Sequence, residues 1–131
     1  MCRQFGISTV VYNPLAGGLL TGKHNQEVFT AGTRFDNNRL YQDRYWHTQD
    51  FHAVERLRAI ACLAGRSLIS LSLNWLQHHA AVDVIILGAS SLAQLNDDLV
   101  AAAEGALPEE IVKACEQVWQ DLRGPLPVYN R

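Results

Sequence analysis

The chain has 131 residues, 48% of them hydrophobic and 18% charged, with a formal net charge of -2, the composition of one globular domain or of part of a larger one. A balance so near neutral, without a run of Lys or Arg, argues against nucleic acid or an anionic membrane as main partner, because phosphate binding at useful salt needs clustered cations. Cys2, Cys62 and Cys115 are far apart with no C-x-x-C pair, so neither a zinc site nor a disulfide framework is predicted, and a reducing cytoplasm is the simpler setting.

No apolar run approaches the roughly 18 residues that span a bilayer, and the start "MCRQFG" lacks the layout of a signal peptide. That start reads as the last residues of a helix followed by a Gly stop, as if the chain entered in the middle of a larger fold. Ile7 to Tyr12, "ISTVVY", is β-branched on both parities and predicts a strand buried on both faces of a parallel sheet. It passes into Asn13-Pro14, then Gly17-Gly18, and closes on Lys23. Asn-Pro turns the chain, and paired glycines let backbone amides approach a bulky anion. This is not a Walker loop, since His24 stands where Ser or Thr would follow the lysine. On spacing alone, glycine used only for geometry is the favoured reading.

From His24 to about Trp46 no period is visible, which predicts a long loop, and ordered loops of that length are usually functional. Phe51, Val54, Leu57, Ala61 and Ala64 recur at helical steps and predict an amphipathic helix stopping at Gly65. Leu68, Leu71, Trp75 and Leu76 mark a second helix, with His78-His79 read as capping or surface groups at its end. "VDVIILG" is again apolar on both parities, a second strand of the parallel kind, and strands separated by helices predict a βα architecture. Ser91 and Gln94 then have the spacing of a capping box, opening a helix with Leu92, Leu95 and Leu99 as its buried stripe. The last helix has Pro108 near its first position, Glu109 and Glu110 in its first turn, and Ile111, Ala114, Val118 and Leu122 as its apolar face. A Gly-bearing turn after each strand, the second opening a helix, matches the phosphate site often formed after strands seven and eight of a (β/α)8 barrel.

"VVYNPLAGGLLTGK", "TRF", "YQDRYW", "LNWLQHH", "ILGASSLAQL" and the tail "YNR" together resemble, in that order, the C-terminal part of an aldo-keto reductase of the aflatoxin-aldehyde reductase branch. The resemblance covers essentially the whole chain and is carried by the ordered set of motifs. It implies an α/β fold, the C-terminal part of a (β/α)8 TIM barrel holding strands seven and eight with their helices plus a C-terminal helix. Residues 1–131 would then be one portion of a single oxidoreductase domain, incomplete as an isolated chain.

The resemblance also implies NADPH as cofactor and an aldehyde or ketone as substrate. Asn13, Pro14, Leu15, Ala16, Gly17, Gly18, Leu19, Leu20, Thr21, Gly22 and Lys23 would line the cofactor's pyrophosphate, and Tyr12 would lie against the nicotinamide ring. Arg34 would stand near the cofactor, although the family has Gly where Thr33 stands. Ser90, Ser91, Gln94, Asp97 and Asp98 would contact the 2'-phosphate and adenine, with Asp98 replacing a common Asn. A carboxylate there accepts from the adenine amino group but repels a phosphate, which predicts weaker NADPH binding. Tyr41, Arg44 and Arg131 would contact an acidic or dicarbonyl substrate. The family's catalytic Tyr, Lys, Asp and His are not assigned to any residue of this chain. The isolated chain is therefore expected to be inactive, a fragment or short product, or else a non-catalytic nucleotide-binding protein. Its open sheet edges and apolar helix surface predict aggregation, partial unfolding or pairing with another polypeptide, as a homo-oligomer or in association with a full-length reductase.

Overall fold

The structure, a computed structural model, describes residues 1–29 and 31–124. A 3-10 turn over Cys2–Phe5 ends at Gly6, whose left-handed conformation (φ +64°) returns its amide to the Arg3 carbonyl. This is the glycine stop expected from the sequence. Two strands follow the βα pattern, β1 (Val10–Tyr12) and β2 (Val84–Ile86), and they pair in parallel with Val10 opposite Val84 and Tyr12 opposite Ile86.

Both strands are shorter than the apolar runs that predict them. Before the ladder the Thr9 amide is satisfied by the Asp83 carboxylate at 2.6 Å, a side chain standing in for a strand partner. The expected burial on both faces is not realised. Val10, Tyr12, Val84 and Ile86 are all at least half exposed, because the sheet formed by the described residues has two strands and no neighbour on either outer edge.

The core lies instead among helices α2 (Thr48–Leu63), α3 (Leu68–Gln77) and α5 (Glu109–Arg123). Val54 and Ala61 of α2 meet Leu68 and Leu71 of α3 and Ile111 and Cys115 of α5, and Leu19 and Phe35 close the cluster from the segment after β1. The helix faces are those that the apolar spacing predicts. Pro108 proves to be the N-cap of α5 rather than its first residue, so that Glu109 and Glu110 open the first turn. His78 caps α3 and its Nδ1 lies 3.0 Å from the Asn74 carbonyl, in keeping with the capping role expected of it.

Helix α4 (Leu92–Ala102) corrects the sequence reading. Leu92, Leu95 and Leu99, the expected buried stripe, are 82%, 37% and 53% exposed, whereas Asp98 and Ala101 are buried. The helix is held to α3 through polar groups: the buried Asn74 amide donates to the Ala101 carbonyl at 2.8 Å. Ser70 Oγ donates to Glu104 at 2.8 Å, and Arg66 Nη1 donates to the Gly105 carbonyl at 2.7 Å. The leucine stripe faces outward, so periodicity identified the helix but not the face that this chain buries.

The expected loop of residues 24–46 also contains a helix, α1 (Arg39–Tyr45), capped by Asn38, whose side chain accepts the Tyr41 amide. Seven residues are too few for an apolar period to stand out. No single helix in the described residues is long and apolar enough to cross a membrane.

Candidate functional site

The register of the sheet brings the two predicted segments to one end of the molecule. Because Tyr12 pairs with Ile86, β1 and β2 finish level, and Asn13 and Leu87 leave the sheet side by side.

After β1, Asn13 adopts a left-handed conformation (φ +59°), which Asn tolerates better than most residues. Its Oδ1 accepts the Gly17 amide at 2.7 Å and its Nδ2 donates to the Tyr45 hydroxyl at 2.8 Å. The residues expected to form an open loop are wound into a 3-10 segment over Ala16–Thr21, kinked at Gly17 (φ +69°) and Gly18 (φ +102°). The Gly18 amide donates to the Leu15 carbonyl at 2.9 Å. Both glycine amides are thus consumed within the turn, and the glycines serve backbone geometry, as their spacing alone favoured. A Cβ on Gly17 would lie 2.9 Å from Tyr41 Cδ1, so close packing as well as the positive φ requires glycine there. Thr21 Oγ1 closes the segment on the Gly18 carbonyl at 2.7 Å.

After β2, Gly88 has nothing within 4 Å of the position a Cβ would take. Ser91 caps α4 by accepting the Gln94 amide at 3.2 Å. The capping box is shifted by one residue: Gln94 Oε1 accepts from the amide and hydroxyl of Ser90, at 2.9 and 2.7 Å, and not from the Ser91 amide. The Leu92 and Ala93 amides open the helix with no hydrogen-bond partner among the described residues. Unpaired amides at a helix start, with the positive end of its dipole, form a site for an anion. Asp97 and Asp98 lie one turn further along, and burial, with Asp97 adding to it, holds the Asp98 carboxyl above the ordinary carboxylate range.

Around the β1 end stand the aromatic residues of α1. Arg44 stands beside the Tyr12 hydroxyl and lies 5.3 Å from the Tyr45 ring centre; these neighbours keep it more firmly protonated. Arg34 stacks over the Tyr41 ring at 5.4 Å and donates to its hydroxyl at 3.2 Å. Tyr12, Arg34, Tyr41 and Arg44 therefore form one cluster beside the Asn13 turn. Lys23 is exposed; its backbone amide donates to Thr21 Oγ1 at 3.4 Å, and its ammonium makes no hydrogen bond or ion pair among the described residues. Arg131 lies outside the described residues.

The sequence reading missed Tyr45, which holds Asn13, and His24, which packs against Phe35 and Trp46. Tyr41 and Tyr45 stand one helical turn apart in "LYQDRY", the spacing that could have revealed both α1 and its inner face. A cavity of about 940 Å³ opens between α1, α2, α3 and α5, with walls such as Val54, Leu71, Trp75 and Trp119. It borders the predicted site through Pro14, Ala16, Leu19, Leu20 and Arg44, and its walls are mostly apolar.

Two parallel strands whose carboxyl ends carry a kinked glycine turn and a helix N-terminus define an α/β protein with its site at the carboxyl edge of the sheet. Over residues 1–120 the sequence matches the model of the Aldo/keto reductase family, and the chain belongs to that family. It is 37% identical to aldo-keto reductase family 7 member A3 of Homo sapiens, over 98% of this chain and 44% of that protein. Aflatoxin B1 aldehyde reductase member 2 of Mus musculus is 37% identical, over 98% of this chain and 39% of that protein. An aldo-keto reductase of Pseudocercospora fijiensis is 35% identical, over 89% and 43% respectively. The chain thus spans less than half the length of these relatives. Among solved structures, a glycerol dehydrogenase from Gluconobacter oxydans superimposes with a TM-score of 0.75 at 19% identity, covering 97% of this chain and 38% of that one. The fold is the C-terminal part of a (β/α)8 barrel, and β1 and β2 take the places of its last two strands.

Proposed function

We propose that this chain forms the cofactor-binding part of an NADPH-dependent aldo-keto reductase that reduces aldehydes or ketones to alcohols. The observation that carries the reading is the level ending of the strands at Tyr12 and Ile86, which sets the Asn13–Gly18 turn beside the open N-terminus of α4. The residues fit a phosphate-bearing dinucleotide at that end. The Leu92 and Ala93 amides can receive a phosphate, and the ground beside Gly88 is clear of side chains. Since the Gly17 and Gly18 amides are used internally, the turn serves as a wall of fixed shape.

Bound NADPH would supply the hydride. Tyr12, 65% exposed at the strand end, offers an aromatic face for the nicotinamide ring, and Arg44 and Arg34 offer cations for an acidic or dicarbonyl substrate. The catalytic Tyr, Lys, Asp and His are assigned to other strands of the barrel. Perturbation of amide NMR resonances on NADPH addition tests the reading. Joint shifts at Asn13–Gly18 and at Leu92–Ala93 support it, and shifts confined to any other surface overturn it.

The exposed strand residues and the outward leucines of α4 favour one further element of the reading: these faces are covered by more barrel, supplied by a second copy or by a full-length reductase. A monodisperse monomer with a sharp cooperative melt contradicts that element.

A further inference from the structure

His24, which stands against the glycine turn, has no role in the proposed function. Both its ring nitrogens are shielded from solvent and have no hydrogen-bond partner among the described residues. The ring sits edge-on to Phe35 at 5.0 Å and to Trp46 at 5.6 Å between ring centres. Its Nε2 is directed at the glycine turn, 3.6 Å from where a Gly18 Cβ would stand. Neutral imidazole carries one N–H donor and one acceptor, and leaving both unmet in an aromatic enclosure is costly. A second proton would add an unpaired charge to the same enclosure, which costs far more.

We propose that His24 is a positioning residue whose neutral ring props the Gly17–Gly18 turn, so that acidification loosens the turn and weakens dinucleotide binding. The cofactor half of this statement rests on the proposed function; the coupling of ring to turn does not. Among the described residues no carboxylate is hydrogen-bonded or paired to the His24 ring. Asp36 accepts from the Gly32 amide and from Asn37, and Asp43 pairs with Arg39. On the elements around the ring, Arg34 is engaged with Tyr41, Arg44 with Tyr12 and Tyr45, Tyr45 with Asn13, and the His47 ring with the Asp43 carbonyl. The neighbouring charge that acts on His24 is the cation of Lys23. Burial first, and Lys23 second, hold the His24 pKa below its ordinary value of 6.5.

The sign follows from linkage. The unfolded chain takes up the proton at higher pH than the folded one, so the support given by His24 is complete above the ordinary value and is lost as pH falls through the lowered one.

The test is an NMR titration of the 131-residue chain from about pH 8 to about pH 5. Comparison with His24→Phe assigns the His24 ring among the five histidines present. The expected result is a His24 midpoint below its ordinary value of 6.5, with the Gly17 and Gly18 amide resonances moving at that same midpoint in wild type and staying still in His24→Phe. Glycine amides that ignore the His24 midpoint overturn the proposal, with or without cofactor. NADPH affinity should then fall by up to about tenfold per pH unit below the midpoint in wild type, and much less in the variant. Equal pH dependence in both proteins also overturns it. A chain that shows the coupled midpoints but binds no NADPH at about pH 8 refutes the proposed function alone and leaves the ring-to-turn coupling intact.

Discussion

The side chain of Asn13 and the amide of Gly17 meet at 2.7 Å and close the turn that leaves the first strand. The same Asn13 side chain reaches the Tyr45 hydroxyl at 2.8 Å, so one residue ties the strand end, the glycine turn and helix α1 together. Replacing it by Ala removes both bonds and puts a less tolerant residue at a positive φ. Asn13→Ala should lose about 1–3 kcal/mol of stability in urea unfolding. Asn13→Asp, which keeps the acceptor for Gly17 but loses the donor to Tyr45, should lose less, and equal losses would contradict the division of roles.

Two glycines separate geometry from ligand space. Gly17→Ala meets Tyr41 at 2.9 Å with φ +69° and should cost about 1–3 kcal/mol in a thermal or urea melt. A Cβ at Gly88 meets nothing, so Gly88→Val should leave the melt almost unchanged while weakening NADPH binding. A Gly88 variant that binds as wild type does would place the phosphate elsewhere.

The legibility of this chain divides along a physical line. The four longer helices, α2 to α5, could be read from apolar spacing, because each has enough residues for a period to register, and both strands from short runs that are apolar on both parities. Helix α1 could not, with seven residues and its cap supplied by Asn38. The turn after β1 could be read as a glycine kink, but not its internal satisfaction, since spacing does not reveal that Asn13 and Leu15 take up the glycine amides. The outward leucines of α4 show the further limit: a stripe states that a face is apolar, and only the presence of a neighbour decides whether it is buried.

Asp98 should make stability depend on pH. Its carboxyl is raised by burial and by Asp97, so the folded chain holds the proton more tightly than the unfolded one. Stability then falls as pH rises from the ordinary carboxylate value of 3.8 through the raised one. Asp98→Asn removes the penalty and should melt above wild type at neutral pH, with the difference closing in acid. If the proposed cofactor sets its 2'-phosphate at the start of α4, the same variant should bind NADPH more tightly, since a nearby negative charge is removed. A melting difference that does not vary with pH would exclude this origin.

Thiol reactivity should report the core. Burial, with Glu116 adding to it, pushes the Cys115 thiol up to about 11, whereas Cys2 and Cys62 are exposed. Two thiols should therefore react promptly with a disulfide reagent at neutral pH, and Cys115 only as fast as the chain unfolds. Three equally fast thiols would mean that α2, α3 and α5 do not pack as described.

The measurement that bears most directly on the account is titration of NADPH with the purified 131-residue chain, followed by nicotinamide fluorescence. A saturable change, abolished or weakened by Gly88→Val, is the result expected if the two strand ends form a dinucleotide site. A folded chain that leaves the fluorescence unchanged at every concentration would contradict it.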